Sequence, residues 1–211
     1  MHPCTTVALI ILALVKCHAL TPKRVLVVGG SGRVGASTVR WIEKLAKAEQ
    51  VPVELAIGGR RQASFDAAAR RLGAKGVDDI KFVQLDLDDA ASLERAVAGR
   101  SLVVHTAGPF QQRTDPTLLK ACIDAGVPYC DVCDELELSR AAKKLTSHCD
   151  VPAVISCGIW PGASALLAAR AAERLGKPLD DLEFSFFTSG TGGAGPTIVS
   201  ATFLLLCTPA A

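Results

Sequence analysis

Apolar and polar positions along this chain follow two alternating patterns. Short continuous runs of aliphatic and β-branched residues occur at Val25-Leu26-Val27-Val28, at 53–57, at 80–85 and at 102–106. The first three run directly into glycine or aspartate, which suits strands of a parallel sheet buried on both faces. Between them, apolar residues return every third or fourth position. Val34, Thr38, Trp41 and Leu45 trace the first such stripe, and 62–72, 116–125, 135–148 and 163–175 carry others. Two further short runs, 129–132 and 153–156, read as a fifth and sixth strand. Six strands alternating with helices predict an α/β fold, a doubly wound parallel sheet with strand order 3-2-1-4-5-6 and right-handed crossovers. Local capping supports several boundaries. Asp88, Asp89 and Ser92 open one helix, Asp115-Pro116 another, and Gly126 and Gly73 stand where helices should stop.

The first strand runs directly into Gly29-Gly30-Ser31-Gly32-Arg33-Val34-Gly35, and these glycines open the first helix. Gly30, Gly32 and Gly35 satisfy the spacing G-x-G-x-x-G. The leading glycines permit a sharp turn at positive φ. Gly32 lets the backbone approach a pyrophosphate, and Gly35 lets the helix pack on the strand. The uncapped helix N-terminus then offers N–H groups and partial positive charge to phosphates. In this strand–turn–helix context the motif predicts a Rossmann dinucleotide site.

At the end of the second strand, where a carboxylate would hold the ribose hydroxyls of NAD, the chain reads Gly58-Gly59-Arg60-Arg61. Two guanidinium groups suit a 2′-phosphate, which predicts NADP rather than NAD. A solvated basic start to the next helix is the competing reading and stays open for Arg61. Asp86, ending the third strand, reads equally as an adenine neighbour or a loop cap. The fourth strand ends in Ala107-Gly108-Pro109-Phe110, small residues that let the backbone pass close to a ribose and nicotinamide. His105, within that strand, reads as a hydrogen-bonded core residue. The expected binding edge also takes in Asp131 and 158–162.

The 211 residues have a net charge of +2, which gives no reason to expect nucleic acid as a partner. No stretch approaches the roughly 20 apolar residues of a membrane span. Residues 1–19 read as a signal peptide, with an apolar run at 7–15 and Cys17-His18-Ala19 as the cleavage triplet. No Lys or Arg precedes that run, so an extra strand or a misplaced start is the alternative. Such a signal leads to the ER, or forms the first half of a bipartite plastid address. The eight cysteines fall mostly on expected helices and strands and read as buried thiols. Cys130 and Cys133 form C-x-x-C. A metal site would need two more ligands, which Cys149 and His148 supply only if the next helix folds back. Residues three apart on a strand point to opposite faces, which disfavours a redox pair as well, so no metal is expected. Residues 23–178 form the expected dinucleotide-binding domain. Residues 179–211 hold a seventh strand at 182–187, a glycine-rich loop at 189–197 and an apolar helix. They read as the entry to a second domain whose remainder the chain lacks, and as a surface through which a homodimer could form.

The ordered set Gly-Gly-Ser-Gly-Arg-Val-Gly, Gly-Gly-Arg-Arg, Val-Val-His-Thr-Ala-Gly-Pro-Phe-Gln, Tyr-Cys-Asp-Val-Cys-Asp-Glu, Gly-Ile-Trp-Pro-Gly and Thr-Gly-Gly-Ala-Gly-Pro-Thr resembles the saccharopine dehydrogenase-like oxidoreductases, in particular the plant and algal plastid members. The resemblance implies an NAD(P)-binding domain followed by an α+β substrate domain. It also implies hydride transfer between NADP(H) and an imine or carbonyl of a small-molecule substrate, and it favours a plastid location. A non-catalytic NADP(H)-binding module, or an inactive fragment lacking the substrate domain, is the alternative. For an acid or base, Asp131 at a strand end is the candidate, although a structural carboxylate capping the helix at Glu135 is the stronger reading. Trp160 could shield the nicotinamide or plug the junction with a second domain.

Overall fold

The computed structural model describes residues 21–72, 80–176, 178–185 and 187. Six parallel strands form one sheet in the order β3-β2-β1-β4-β5-β6. They are β1 (Lys23–Val28), β2 (Val53–Gly59), β3 (Lys81–Gln84), β4 (Leu102–His105), β5 (Tyr129–Asp131) and β6 (Ala153–Val154). The helices are α1 (Arg33–Ala48), α2 (Gln62–Leu72), α3 (Ala90–Val97), α4 (Thr117–Asp124), α5 (Leu136–Thr146) and α6 (Ala163–Leu175). The expected α/β architecture and strand order are both present.

Alternate side chains of the central strands feed two cores, as a pleated sheet covered on both faces requires. Leu26, Val28, Val103 and Tyr129 pack against α3 and α4 through Leu93, Val97, Leu118 and Leu119. Val25, Val27, Ile57 and Val104 pack against α1 through Val39 and Ile42. Strand order reverses between β1 and β4, where Val28 lies beside His105. That reversal leaves a crevice at the strands' carboxyl ends.

The inward face of α1 differs from the expected stripe. Gly35, Thr38, Val39, Ile42 and Ala46 are buried, whereas Val34 is 53% exposed. Gly35 must lie flat on the β1–α1 turn, and this sets the helix rotation one residue away from Val34, Trp41 and Leu45. Trp41 instead carries the Lys44 ammonium 4.6 Å from its ring centroid. At α4 the cap is Pro116, not Asp115, and no side chain caps it. The Thr117 hydroxyl donates to the Leu87 carbonyl at 3.0 Å and ties this helix to the β3–α3 loop. Asp89 alone caps α3, accepting from the Ala91 amide. Helix α5 ends at Thr146, before the expected His148.

The expected seventh strand does not form among the described residues 182–185 and 187. Leu182 and Phe187 are 54% and 89% exposed, and β3 and β6 remain the edges of the sheet. An apolar run becomes a strand only where another strand takes its backbone hydrogen bonds. The signal segment, Gly73, Gly76, the glycine-rich loop and the final helix lie outside the described residues. Among the described residues, no helix is long and apolar enough to cross a membrane.

Candidate functional site

The β1–α1 turn is built by two close backbone approaches. Gly29 has φ +79°, and a Cβ there would lie 2.7 Å from the Ala107 amide nitrogen. A Cβ on Gly35 would meet the Gly29 carbonyl oxygen, and would lie 2.6 Å from both the Gly30 Cα and the Thr106 hydroxyl oxygen. Gly29 is thus the residue that needs positive φ, while Gly30 and Gly32 do not. Gly32 is the extended N-cap of α1, and no side chain caps this helix or places a carboxylate in its first turn. A Cβ on Gly32 would meet only the Gly29 carbonyl oxygen, at 3.2 Å. The glycine motif therefore divides into two jobs: Gly29 and Gly35 close the turn, and Gly32 keeps its mouth clear.

That mouth opens into a cavity of about 590 Å³ over the ends of β1, β2 and β4. Gly29, Ser31, Gly32, Arg33 and Val34 form one wall, and Gly59, Arg60 and Arg61 form another. Asp86 and the run Ala107, Gly108, Pro109 and Phe110 complete the set expected from sequence. Gly30 and Gly35 do not line the cavity; they lie beneath the turn. Arg60 and Arg61 are both exposed at the β2 end, and Ser64, one helical turn on, joins them at the cavity wall. No carboxylate faces the cavity from β2 itself. Asp86 lines the cavity, and its carboxylate accepts the Asp88 amide at 3.2 Å, the bond of a loop cap.

Several cavity residues were not foreseen from sequence. Arg113 pairs with Asp88 at 3.2 Å and joins the loops that follow β4 and β3. Gln111 is buried, and its side-chain amide donates to the Asp134 carboxylate at 2.9 Å. A carboxylate only accepts, so this bond fixes the amide's orientation. It leaves the Gln111 Oε1 without a partner among the described residues. Only the adjacency of Gln111 to the Ala-Gly-Pro-Phe run could have flagged it.

Asp131 turns away from this cavity. Its Oδ1 accepts the Cys133 amide at 3.0 Å and the Ser156 amide at 2.7 Å, joining the ends of β5 and β6. Burial raises its pKa, and the amide bonds oppose that shift. It is a structural carboxylate, as sequence favoured, but it does not cap α5: Glu135 does, through its own side chain. Residues 158–162 also stand apart from the cofactor cavity, and Gly158, Pro161 and Gly162 line a second one. Trp160 is 45% exposed and lines neither. Cys130 and Cys133 lie in different clusters, one under the α1 face and one with Phe110 and Leu138. Burial pushes both thiols up, Cys133 to about 11, so neither is a ready nucleophile. Among the described residues no cluster of His, Cys, Asp and Glu is suited to a metal.

His105 is buried under the cavity floor. Its Nδ1 is 2.9 Å from the Tyr129 hydroxyl, and its ring meets Phe110 edge-on at 5.0 Å. Burial, helped by the Arg113 charge, lowers its pKa from 6.5 to about 4. The native state therefore takes up a proton on His105 later than the unfolded chain as pH falls. The neutral ring's contribution is complete above pH 6.5 and is lost as pH drops toward 4. Its loss amounts to roughly 3 kcal/mol across that window. Asp131, with its raised pKa, acts in the opposite sense, so the test is a difference between proteins. Denaturant unfolding of the wild type and His105→Phe should show the wild type losing stability more steeply from pH 7 to 4. Parallel curves would contradict this reading.

Known proteins place this arrangement. No match is found among curated proteins. Saccharopine dehydrogenase (L-Glu forming) from Saccharomyces cerevisiae is similar in structure, with a TM-score of 0.55 and 22% identity, covering 73% of this chain and 31% of that one. Shikimate 5-dehydrogenase from Listeria monocytogenes, solved with shikimate and NAD, matches at TM-score 0.45 and 17% identity over 76% of this chain and 56% of its own. Triphenylmethane reductase from Citrobacter sp., complexed with NADP(H), matches at TM-score 0.46 and 20% identity over 62% and 48%. The chain thus spans between about a third and just over half of these solved proteins. The family model for the saccharopine dehydrogenase NADP binding domain matches residues 25–157, most of the sheet and the whole cofactor cavity, and the chain belongs to that family.

Proposed function

We propose that this protein is an NADP(H)-dependent oxidoreductase of the saccharopine dehydrogenase type, moving a hydride between NADP(H) and an imine or carbonyl carbon. The observation that carries this reading is the pairing of two features on one cavity: an uncapped, glycine-lined helix start and a β2 end bearing arginines instead of a carboxylate. The residues present fit the coenzyme. Gly32 leaves open the space that a Cβ would begin to fill, and the α1 dipole favours a diphosphate there. Arg60, Arg61 and Ser64 would hold the 2′-phosphate. The Thr106–Pro109 backbone would run along the ribose and nicotinamide, fixed by the Thr106 hydroxyl donating to the Val28 carbonyl at 2.8 Å. When bound, the nicotinamide supplies the hydride; the chain's own residues bind, orient and exclude water.

A second reading is an NADP(H)-binding module without turnover. It is favoured by Asp131, the one acid proposed for catalysis, being engaged by two backbone amides away from the cavity. Incubating the full chain with NADPH and a panel of aldehydes, ketones and amine–aldehyde mixtures separates the two. Substrate-dependent loss of NADPH absorbance is expected from an oxidoreductase. Tight NADPH binding with no loss across the panel would overturn the catalytic reading and leave the module. The plastid location is proposed from the resemblance, and a homodimer from the apolar sequence of the C-terminal segment.

A further inference from the structure

A second cavity of about 600 Å³ lies between α5, the end of β6 and α6, outside the cofactor cleft. Its volume falls within the range of small-molecule pockets. Its walls are mostly apolar, formed by Val154, Ile155, Pro161, Ala165 and Leu166. Helix α6 buries none of its residues, so its small and aliphatic side chains line this space without being spent on the core.

The floor is polar and strained. Ser156 has φ +59°, a conformation that costs a non-glycine residue free energy and that clusters at functional sites. Its amide is held by Asp131 at 2.7 Å, and its hydroxyl is 3.1 Å from the Ser139 hydroxyl. The carboxylate that sequence offered as a catalyst thus shapes the floor of this second space. Asp134 lines both cavities and is where they meet. Its carboxylate is steadied by Gln111, whose buried Oε1, without a partner among the described residues, belongs to the cofactor side.

Charge selects among ligands. Among the described residues, Asp134 and Glu135 line this cavity against one cation, Lys143, and no arginine. In the cofactor cleft cations outnumber carboxylates, with Arg33, Arg60, Arg61 and Arg113 set against Asp86, Asp88 and the shared Asp134. A substrate carrying several carboxylates would find a single cation, Lys143, among the described lining residues, set against two carboxylates. Resting on the reading of the neighbouring cleft as an NADP(H) site, we propose that this cavity is the substrate site and that it takes an apolar primary amine. The amine sits at Asp134, at the border with the cofactor, and the hydrocarbon body lies along α6.

The test is calorimetric titration of the full chain, with and without saturating NADPH, using hexylamine, octylamine, octanol, octanoate and glutamate as probes. Octylamine should bind roughly tenfold or more tightly than octanoate or glutamate, because its charged donor meets a carboxylate. Hexylamine should be weaker than octylamine by about fourfold per buried methylene removed. Asp134→Asn should bring octylamine down to the level of octanol. Ala165 is exposed on α6, so Ala165→Phe should fold, keep its NADPH affinity and lose octylamine binding. Octanoate or glutamate binding as tightly as octylamine, or Ala165→Phe leaving octylamine affinity intact, would overturn the proposal. Should NADPH fail to bind while octylamine binds and Ala165→Phe abolishes it, the cofactor reading falls and the amine cavity stands.

Discussion

Gly35→Ala is expected to strip the protein of both its stability and its cofactor, whereas Gly32→Ala should strip it of the cofactor alone. The two glycines stand three residues apart in the same motif, and only their surroundings separate them. A methyl group at Gly35 meets backbone on one side, at Gly29 and Gly30, and the Thr106 side chain on the other. Thr106 cannot swing away freely, because its hydroxyl and its amide both donate to the Val28 carbonyl at 2.8 Å. Relief requires α1 to lift off the sheet, and α1 is anchored there by Val39 and Ile42, each about 1% exposed. The cost is about 3 kcal/mol or more, at the upper end of core overpacking. Gly32 is different. Its φ of −74° suits any residue, and only one atom lies within reach of its Cβ. Stability should change by about 1 kcal/mol or less, the size of an N-cap substitution. NADPH affinity should still fall roughly tenfold or more, because the methyl group enters the space assigned to the diphosphate. Thermal melts and NADPH titrations of both variants check this. A Gly35→Ala protein that melts with the wild type would show that the turn is looser than its geometry implies.

Arg60→Ala is expected to weaken NADPH about 10- to 100-fold while leaving NADH within about twofold. The range follows from the roughly 1.5–3 kcal/mol that a hydrogen bond to a charged group contributes. Among the described residues Arg60 forms no ion pair, so its removal strands no partner and should not disturb the fold. Arg61→Ala should have a smaller effect, since its guanidinium begins α2 and is free to face solvent. The double variant should lose discrimination between the two coenzymes. Because both arginines are exposed, the NADPH preference should shrink as salt is raised.

Much of the fold was legible because each level of the sequence pointed the same way. The β4 run is apolar up to His105 and lies at the centre of the sheet, so tertiary contacts and local pattern agree. The glycine turn after β1 admits one strand–turn–helix geometry, and the arginines after β2 fall at the cavity because the parallel register puts Gly59 beside Gln84 at the strands' ends. Several of the failures share a cause: a contact supplied from far along the chain. The rotation of α1 is set by Thr106 and Ala107 as much as by its own stripe. Asp131 is claimed by Ser156, 25 residues away, and so faces inward. Arg113 and Asp88 meet only because α4 and α3 bring two loops together. The segment 182–187 has the composition of a strand, but among the described residues it has no neighbour to pair with. The second cavity depends on the mutual placement of α5 and α6, which no local pattern encodes.

The central claim is that the β1–α1 turn and the β2 arginines together hold NADP(H). Side-by-side fluorescence titration of the full chain with NADPH and NADH tests it most directly. The account predicts saturable binding of both, with NADPH tighter by roughly tenfold or more. Equal affinities, or a preference for NADH, would contradict the arginine assignment, and no binding of either coenzyme would contradict the site as a whole.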